Sequence, residues 1–504
     1  MSLRSATAPK DAAAIILLRH DTDPLNPEVF LIKRSEKLAF LGGFYAFPGG
    51  QFDPADTEVN VEGCSDRDSA AAISCAAREL FEELGVLAAQ GSETLTKGQR
   101  ASLFDDLESG RMSWPGLLNH YGLHLHANDF TFVGRWVTPP FSVRRFDTWF
   151  FLYKCPAKQE PRVIQGELES GEWTHAEEAY ERWQRSEILA APPTLHALKT
   201  LSKGINADLV DRFLSNPHAH GEPARRIEFQ PNYICFPVRT PTKPPATHTN
   251  CYLIYTSRQI LVIDPGSPYE DEQQALAASI DELRREGRTV GEIVLTHMHP
   301  DHVGGVNALR QHLGPEVKVA AHRLTAEPLS GAIRVDRLIE EGELIALSGS
   351  PSIVLSAMHT PGHARGHLCF YEERTGTLIS GDNIVGLGSV LIDPPEGNMR
   401  DYLESLRRMR SLPNLSVIFG GHGPAIANPY KKLDEYISHR LKREQKILEA
   451  VTDGAQTPEE IVARVYTDVA PAAHAMAERA VLAHLEKLIQ DGTINHDGQA
   501  WRIA

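Results

Sequence analysis

The sequence has few cysteines, and none of them forms a close pair. Its six cysteines are scattered over 504 residues without a CxxC spacing, so neither a disulfide framework nor a cysteine zinc site is expected. The N-terminus lacks an apolar run of signal-peptide length, and no run of about 18 uncharged apolar residues occurs anywhere. We therefore expect a cytoplasmic protein with reduced thiols, in which any metal ion is bound by other ligands.

Positive charge is also scarce. The chain has 51 lysines and arginines against 66 aspartates and glutamates, a formal net charge of −15. This charge opposes non-specific attraction to nucleic-acid phosphates, although a local basic groove could still bind them. The length exceeds what one hydrophobic core organises, which predicts about three domains of ~100–200 residues each.

Two changes in sequence character predict the domain boundaries. A segment rich in proline, histidine and threonine near residue 220 is typical of a linker. A helical segment from about Asn428 is followed by short helices and a terminal hairpin pattern. The predicted domains are residues 1–215, 216–436 and 437–504.

The middle domain alternates short apolar runs with helical patterns, which predicts an α/β fold. Its polar residues follow the apolar runs, at strand ends where loops carry chemistry. The segment THMHPDHVGG, residues 296–305, follows the buried run EIVLT. Imidazole and carboxylate are ligands that zinc accepts, and this spacing lets alternate residues face one metal while their neighbours face a second. Further candidate ligands follow later strands, at His363, Asp382 and His422.

These pieces, in this order and with the glycines of DPG, PGH, SGD and GGHG, resemble the metallo-β-lactamase fold, an αββα sandwich. The resemblance implies two zinc ions held by residues of four loops. One zinc would bind His297, His299 and His363, the second would bind Asp301, His302 and His422, and Asp382 would bridge both. His299 stands where the di-iron branch of the superfamily usually has glutamate, which favours zinc.

Two cations that share a bridging water lower its pKa toward neutrality, and the resulting hydroxide attacks an electrophilic carbonyl or phosphorus. Asp301 is expected to orient that hydroxide and, with Asp382, is a predicted catalytic residue. His359 is expected to be structural. For His367, support of a metal ligand and contact with substrate both stay open.

The C-terminal residues predict a winged helix. TPEEIVARVY has a capping-box pattern from Thr457 to Glu460 with Pro458 at the first helical position, AMAERAVLAHLEKLIQDG is amphipathic, and TINHDGQAWRI predicts two short strands. The predicted recognition helix carries balanced charges, which favours a packing or substrate-lid role over nucleic-acid recognition. Those charged residues are Glu478, Arg479, Glu486 and Lys487.

This pairing of domains is similar to the lactamase-β-like 2 endoribonucleases, and the similarity implies cleavage of single-stranded RNA by a metal-bridging hydroxide. The 39 residues between Asp382 and His422 are too few for the inserted domain of the β-CASP nucleases. The helical thioester-binding segment of glyoxalase II enzymes is not recognisable. A thioester or lactone substrate nevertheless stays open, because the same hydroxide serves acyl transfer.

The N-terminal domain has a second group of charged residues, in FYAFPGGQFDPAD and AARELFEELGV. At ~100° per residue, Glu79, Glu82 and Glu83 fall within one arc of a helix. Hard carboxylates on one face suit Mg²⁺. The two segments resemble the Nudix box, with Gly50 and Asp56 at the places of its first glycine and glutamate. Two departures are an aspartate for that glutamate and 21 intervening residues where seven are usual.

The resemblance covers about the first 200 residues and is similar to the subgroup with coenzyme A diphosphatases, although Ala39 replaces an arginine of that signature. It implies an α/β/α sandwich that hydrolyses a nucleoside-diphosphate-linked substrate with Mg²⁺ or Mn²⁺. The metal would bind Glu79, Glu82 and Glu83, of which Glu82 and Glu83 would be catalytic. Candidate phosphate contacts are Arg144 and Arg145, and candidate bases are Glu169 and Glu172.

Together these features predict a two-headed hydrolase with a nucleotide-type small molecule and single-stranded RNA as candidate partners. A nucleotide-sensing Nudix-like domain without catalysis, beside a thioester or lactone hydrolase, is the alternative. No membrane association is expected, and a homodimer stays open.

Overall fold

The computed structural model describes residues 8–38, 41–140, 142, 144–164, 166–467, 469–470, 473–498 and 500–504. The chain divides into two compact units, residues 1–231 and 232–504. Ala39, which departs from the coenzyme A signature, lies outside the described residues. The domain boundaries placed at residues 215 and 436 stay predictions.

The described residues of unit 1, which spans residues 1–231, form a mixed β-sheet and six α-helices. Its strands are β1 (Lys10–Leu18), β2 (Glu28–Arg34), β3 (Tyr45–Ala46), β4 (Gly49–Gln51), β5 (Val61–Glu62), β6 (Leu125–His126), β7 (Phe130–Val137), β8 (Phe146–Lys154), β9 (Leu168–His175) and β10 (Ile227–Gln230). Its helices are α1 (Arg67–Leu84), α2 (Lys97–Glu108), α3 (Trp114–His120), α4 (Ala176–Gln184), α5 (Pro192–Leu201) and α6 (Leu209–Leu214).

The centre of this sheet is β1, which pairs with β8 in parallel and with β2 and β4 antiparallel. Since side chains alternate along a strand, Ala13 and Ile15 pack against α1, α2 and α3. Ala14 and Ile16 face the opposite way and pack with residues of α4, α5 and α6. Helices on both faces of one sheet form the α/β/α sandwich predicted for this part of the chain.

Helix α1 carries the three predicted metal-binding glutamates. It begins after Asp66, whose carboxylate accepts a hydrogen bond from the Ser69 amide, and ends at Gly85, whose φ of 65° lies in the left-handed region. Because α1 begins at Arg67, about half of the extra residues between the halves of the predicted box extend the helix toward its N-terminus. They do not form a single surface loop.

Unit 2 spans residues 232–504, and its described part forms two larger sheets, a terminal hairpin and eight α-helices. Its strands are β11 (Tyr233–Arg239), β12 (His248–Tyr255), β13 (Gln259–Ile263), β14 (Thr289–Val294), β15 (Lys318–Ala321), β16 (Arg337–Leu338), β17 (Leu344–Leu347), β18 (Ile353–His359), β19 (Leu368–Glu372), β20 (Thr377–Gly381), β21 (Val417–Gly420), β22 (Ile494–His496) and β23 (Trp501–Ile503). Its helices are α7 (Glu270–Arg285), α8 (Pro300–Val303), α9 (Val306–Leu313), α10 (Arg323–Leu329), α11 (Met399–Arg410), α12 (Pro429–Thr452), α13 (Pro458–Val465) and α14 (His474–Gln490).

The two larger sheets run in the strand orders β11-β12-β13-β14-β15-β16 and β17-β18-β19-β20-β21. Residues of α7 and α9 pack on the first sheet, and residues of α11 and α12 pack on the second. Between the sheets, Phe419 of β21 stacks on Tyr233 of β11 at 5.9 Å between ring centroids and also contacts Tyr252. The four layers confirm the predicted αββα sandwich.

Three of the four loops that carry predicted ligands follow strands with a parallel neighbour, and the fourth, which carries His363, follows β18, whose neighbours are antiparallel. Strands β13, β14 and β15 are parallel neighbours, as are β20 and β21. Their ends therefore meet at the same edges of the two sheets. Each of the six apolar runs that predict strands in the middle domain is a strand here: β12, β13, β14, β18, β20 and β21.

The C-terminal part consists of α12, α13, α14 and the antiparallel hairpin of β22 and β23, as predicted. Pro458 is the first residue of α13, and the Thr457 hydroxyl accepts from the Glu460 amide. The capping box is incomplete, because the Glu460 carboxylate accepts from the amide of Gln456 and not from that of Thr457.

All six cysteines are unpaired and five of them are buried, in agreement with the expectation of reduced thiols. In the described part of the chain, no helix combines the length and the apolar character needed to cross a membrane.

Candidate functional site

The first cluster of ligand atoms is formed by three histidines from two loops of unit 2. His297 and His299 follow β14, and His363 follows β18. The Nδ1 atom of His299 lies 3.0 Å from Nε2 of His297 and 2.9 Å from Nε2 of His363. Three ring nitrogens within 4.8 Å of one another form a group that fits a single cation.

The second cluster adds Asp301, His302 and His422. Oδ2 of Asp301 lies 3.5 Å from Nε2 of His422 and 4.0 Å from Nε2 of His302. Asp382 lies between the clusters, 3.3 Å from Nε2 of His302, 3.2 Å from Nε2 of His422 and 3.7 Å from Nε2 of His363. The structure thus brings all seven predicted ligands together and puts Asp382 where a bridging ligand is expected. Their roles as metal ligands stay predictions.

Two buried atoms in this site lack hydrogen-bond partners. They are Nε2 of His302 and Oδ1 of Asp382. A buried polar atom without a partner is costly, and a cation shared by these atoms would remove that cost. The donor set of five imidazoles and two carboxylates therefore fits divalent metal ions such as zinc.

The pKa values of the histidines also favour a cation. Burial, and then the neighbouring imidazoles, lower the pKa of His297 and His299, and the same causes lower that of His363 to about 3. Their lone pairs are therefore available at neutral pH. Burial by itself lowers the pKa of His302, but the carboxylates of Asp382 and two neighbours outweigh it and raise the net value. Positive charge is thus favoured beside the carboxylates.

Backbone carbonyls and one carboxylate fix the orientation of the ligand rings. Nδ1 of His363 donates to the carbonyl of Leu391 at 3.0 Å, and Nδ1 of His422 donates to the carbonyl of His248 at 2.7 Å. In each case the hydrogen on Nδ1 leaves the lone pair on Nε2, the atom that faces the cluster.

Asp264 fixes the His302 ring from the other side. Its carboxylate lies 2.8 Å from Nδ1 of His302 and accepts from the amide and the hydroxyl of Thr296 at 2.8 and 2.6 Å. Its φ of 53° is left-handed, a conformation that aspartate tolerates better than most residues. The DPG motif signals this residue in the sequence, but its contact with His302 only emerges from the fold.

His367 is fully buried beside Asp382. Its Nε2 accepts from the Asp382 amide at 3.2 Å, and its Nδ1 lies 3.1 Å from the Thr360 hydroxyl. This buried ring supports the position of Asp382, and its contact with substrate stays a prediction. His359 has a structural contact as expected, since its Nε2 lies 2.7 Å from the Arg365 carbonyl.

The predicted site of unit 1 is organised around Arg78. This buried guanidinium pairs with both carboxylate oxygens of the fully buried Asp56, at 3.0 and 2.9 Å. It also donates to Glu79 at 2.9 Å and to Glu82 at 2.7 Å. Arg78 therefore neutralises part of the charge of the glutamates even without a bound cation.

The remaining predicted residues of unit 1 have different surroundings. Glu83 accepts from the Gly49 amide at 2.9 Å. Arg144 is exposed, and Nε of Arg145 donates to the Thr138 carbonyl. The two candidate bases form ion pairs, Glu169 with Lys33 at 2.9 Å and Glu172 with Arg182 at 2.7 Å.

The three glutamates are more loosely grouped than the histidines of unit 2. Among the described residues, every trio of possible metal ligands within 4.8 Å of one another lies in unit 2. Burial is the main cause that raises the pKa of Glu79 to about 7 and that of Glu83 to about 8. A cation at this site would therefore displace protons.

The comparisons with known proteins agree with the fold. Residues 244–422 match the metallo-beta-lactamase superfamily, and residues 457–501 match the beta-lactamase associated winged helix domain. The beta-lactamase-like protein 2 homolog of Caenorhabditis elegans is 30% identical over 249 residues, 49% of this chain and 81% of that protein. Thioesterase pkgB of Emericella nidulans is 35% identical over 199 residues, 40% of this chain and 53% of that protein. A Nudix hydrolase structure from Alicyclobacillus acidocaldarius is 32% identical, with a TM-score of 0.35, and covers 42% of this chain and 98% of that one.

An αββα sandwich whose loops bring histidines and aspartates to one edge defines the class of metal-dependent hydrolases. The chain belongs to the metallo-beta-lactamase superfamily, carries the associated winged helix, and is a hydrolase. The identity of its metal ions and the Nudix assignment stay predictions.

The close approach of Gly421 to Asp382 predicts that one methyl group added at Gly421 disturbs the site. A Cβ atom at Gly421 would lie 2.2 Å from Oδ1 of Asp382 and 2.8 Å from Cε1 of His302. We expect Gly421→Ala to displace the carboxylate and to reduce the zinc content, measured by elemental analysis, by about one ion per chain. Gly98→Ala, in open space, is the control. Unchanged zinc content in Gly421→Ala would contradict this geometry.

The raised pKa values of Glu79 and Glu83 predict that unit 1 loses stability as pH rises. The folded state keeps these carboxyls protonated while the unfolded chain releases the protons from about pH 4.3 upward, so stability falls through about pH 8. In chelator, the melting temperature of unit 1 should fall between about pH 6 and 8.5, and Mg²⁺ should restore it more at the higher pH.

The control for this pH effect is the double variant Glu79→Gln/Glu83→Gln, in which neither side chain can ionise. Its melting temperature should depend less on pH and respond less to Mg²⁺. Identical behaviour of the variant and the wild type would rule out these carboxyls as the source of the effect.

Proposed function

We propose that unit 2 hydrolyses acyl thioesters with a water activated at the site of the seven converging side chains. The observation that carries the proposal is the position of Asp382 between the two clusters, within 3.7 Å of a ring nitrogen of His302, His363 and His422. When bound at these clusters, divalent cations supply Lewis-acid stabilisation and acidify water enough for attack at neutral pH.

Asp301 is the residue that orients the attacking water. Burial by itself raises the pKa of Asp301, but the imidazoles of His302 and His422 outweigh it and hold the pKa below its usual value. The ionised carboxylate can accept a hydrogen bond from water, and its side chain keeps some contact with solvent, at 14% exposed. Attack forms a carbon–oxygen bond and breaks the carbon–sulfur bond, and the leaving thiolate takes up the proton.

Two observations favour an acyl substrate. The cations of α14, the predicted recognition helix, are used inside unit 2: Arg479 pairs with Asp393 at 2.5 Å, and Lys487 pairs with Glu444 at 2.8 Å and Asp491 at 2.7 Å. Paired in this way, they are poor contacts for nucleic-acid phosphates. In addition, pkgB, which is named a thioesterase, is 35% identical over 199 residues.

Cleavage of single-stranded RNA, implied by the resemblance to lactamase-β-like 2 endoribonucleases, is the second candidate. The observation that favours it is the similarity to the beta-lactamase-like protein 2 homolog over 81% of that protein. The same water and the same Asp301 carboxylate serve attack on phosphorus.

Parallel assays of the zinc-loaded chain with an acyl-glutathione, a homoserine lactone and a single-stranded RNA separate these candidates. We expect thioester turnover with a kcat/KM at least about tenfold above that of Asp382→Ala, because this variant removes the carboxylate between the clusters. The Arg400→Ala variant, which removes an ion pair with Asp491 and leaves the seven side chains unchanged, is the control for folding. If the wild type cleaves RNA, Asp382→Ala does not, and no thioester is turned over, RNA cleavage would replace thioester hydrolysis as the proposed function.

We propose further that unit 1 is a diphosphatase for a nucleoside-diphosphate-linked small molecule, with Mg²⁺ or Mn²⁺ at Glu79, Glu82 and Glu83. The support is the close approach of a glycine to these carboxylates. A Cβ atom at Gly50 would lie 2.4 Å from Oε1 of Glu79, so only glycine fits there. Hard carboxylates on one helix face suit a cation that borrows phosphate oxygens from its substrate.

Replacing Glu82 and Glu83 together by glutamine distinguishes catalysis from nucleotide sensing in unit 1. We expect loss of at least about 100-fold of a Mg²⁺-dependent diphosphatase activity, because neutral amides bind the cation weakly. Activity at unit 2 should persist, since the variant leaves all seven ligands in place. If the wild type binds nucleotides but hydrolyses none of a panel of them, the result would support the sensing alternative.

A further inference from the structure

One short segment connects the histidine cluster with the C-terminal helices. It comprises residues 388–394, lies between β20 and α11, and is called the strap below. On the side of the site, the Leu391 carbonyl accepts the Nδ1 hydrogen of His363 at 3.0 Å. This bond sets both the ring orientation and the atom, Nε2, that faces His299 at 2.9 Å.

The opposite side of the strap is held by side chains of α12. Arg440, which is only 5% exposed, donates from Nη2 to the carbonyl of Val390, the neighbour of Leu391. Tyr436 donates to the carbonyl of Gly388 at 3.1 Å. Two adjacent carbonyls of the strap therefore accept from opposite sides, one from α12 and the other from His363.

Helix α14 holds the end of the strap. Nε of Arg479 donates to Oδ1 of Asp393 at 2.5 Å, and Nη2 of the same guanidinium donates to the carbonyl of Pro394. Hydrogen bonds from a charged donor are stronger than neutral ones. The guanidinium fork also fixes direction, which a single ammonium does not.

We propose that Arg440 and Arg479 are positioning residues that keep His363 in place by holding the strap. The C-terminal helices thereby take part in building the metal centre. The inference rests on the proposed role of His363 as a metal ligand. Residues that orient a ligand through a second hydrogen bond commonly change metal affinity by about 10–100-fold, so release of the strap should weaken metal retention.

The chain offers a matched control for this inference. Arg400 of α11 pairs with Asp491 just after α14, so it also ties the C-terminal helices to the sandwich. Its ion-pair partner, Asp491, lies outside the strap. Arg400→Ala therefore removes an ion pair of the same C-terminal helices and leaves the contacts of Arg440 and Arg479 with the strap in place.

The experiment uses the full chain loaded with Zn²⁺, and separately with Co²⁺, and compares Arg479→Ala, Arg479→Lys, Arg440→Lys and Arg400→Ala. We expect Arg479→Ala and Arg440→Lys to lose one metal ion to a chelator about tenfold faster than the wild type. The visible absorption of their Co²⁺ forms should change, because the ligand field at His363 changes. Arg479→Lys should be intermediate, and Arg400→Ala should match the wild type.

The outcomes separate this inference from the proposed function. A wild-type chain that binds no metal after loading would count against the metal centre itself. A wild type that binds two ions, with the same chelation rate and Co²⁺ spectrum in Arg479→Ala and Arg440→Lys, would overturn the strap inference alone. Equally fast loss in Arg400→Ala would also overturn it, because the effect would then be general loosening. Melting temperatures of all variants identify any that fail to fold.

Discussion

The convergence of seven polar ligand side chains at a largely buried point is the constraint on which the rest of unit 2 depends. Nε2 of His302 and Oδ1 of Asp382 are buried 3.3 Å apart and form no hydrogen bond of good geometry, and a bound cation would satisfy both atoms. Each loop that carries a predicted ligand therefore needs hydrogen bonds on the side away from the site. Asp264 holds His302, and the carbonyls of His248 and Leu391 hold His422 and His363.

The two units neutralise the charge of their buried carboxylates in different ways. In unit 1, Arg78 supplies positive charge from within the chain to Asp56, Glu79 and Glu82. In unit 2, imidazoles surround Asp382, and their positive charge depends on protons or on bound cations. The charge balance of the buried carboxylates in unit 2 therefore depends more on protons or bound cations than that in unit 1, where Arg78 supplies part of it.

The sequence indicated that the seven predicted ligands converge, because the loops that carry them follow apolar runs and the ends of neighbouring strands bring such loops to one edge. His297, Asp382 and His422 are examples, after β14, β20 and β21. It could not predict the partners that hold them. The carbonyl of Leu391 has no side-chain signature, and the pair of Arg479 with Asp393 joins residues 86 positions apart. Likewise, the sequence shows the arc of glutamates on α1. It does not show that Arg78 neutralises them, because the position of Arg78 depends on its contact with Asp56 in the fold.

The balanced charge of α14 gains a physical explanation from these contacts. A recognition helix needs cations directed to solvent, where they meet phosphates. Arg479 and Lys487 instead lie against Asp393 and Glu444, so the balance reflects ion pairs formed within unit 2. If α14 bound a ligand through these cations, or moved as a lid, it would lose those ion pairs. Its charges therefore tie α14 to the sandwich and, through Asp393, to the segment that orients His363.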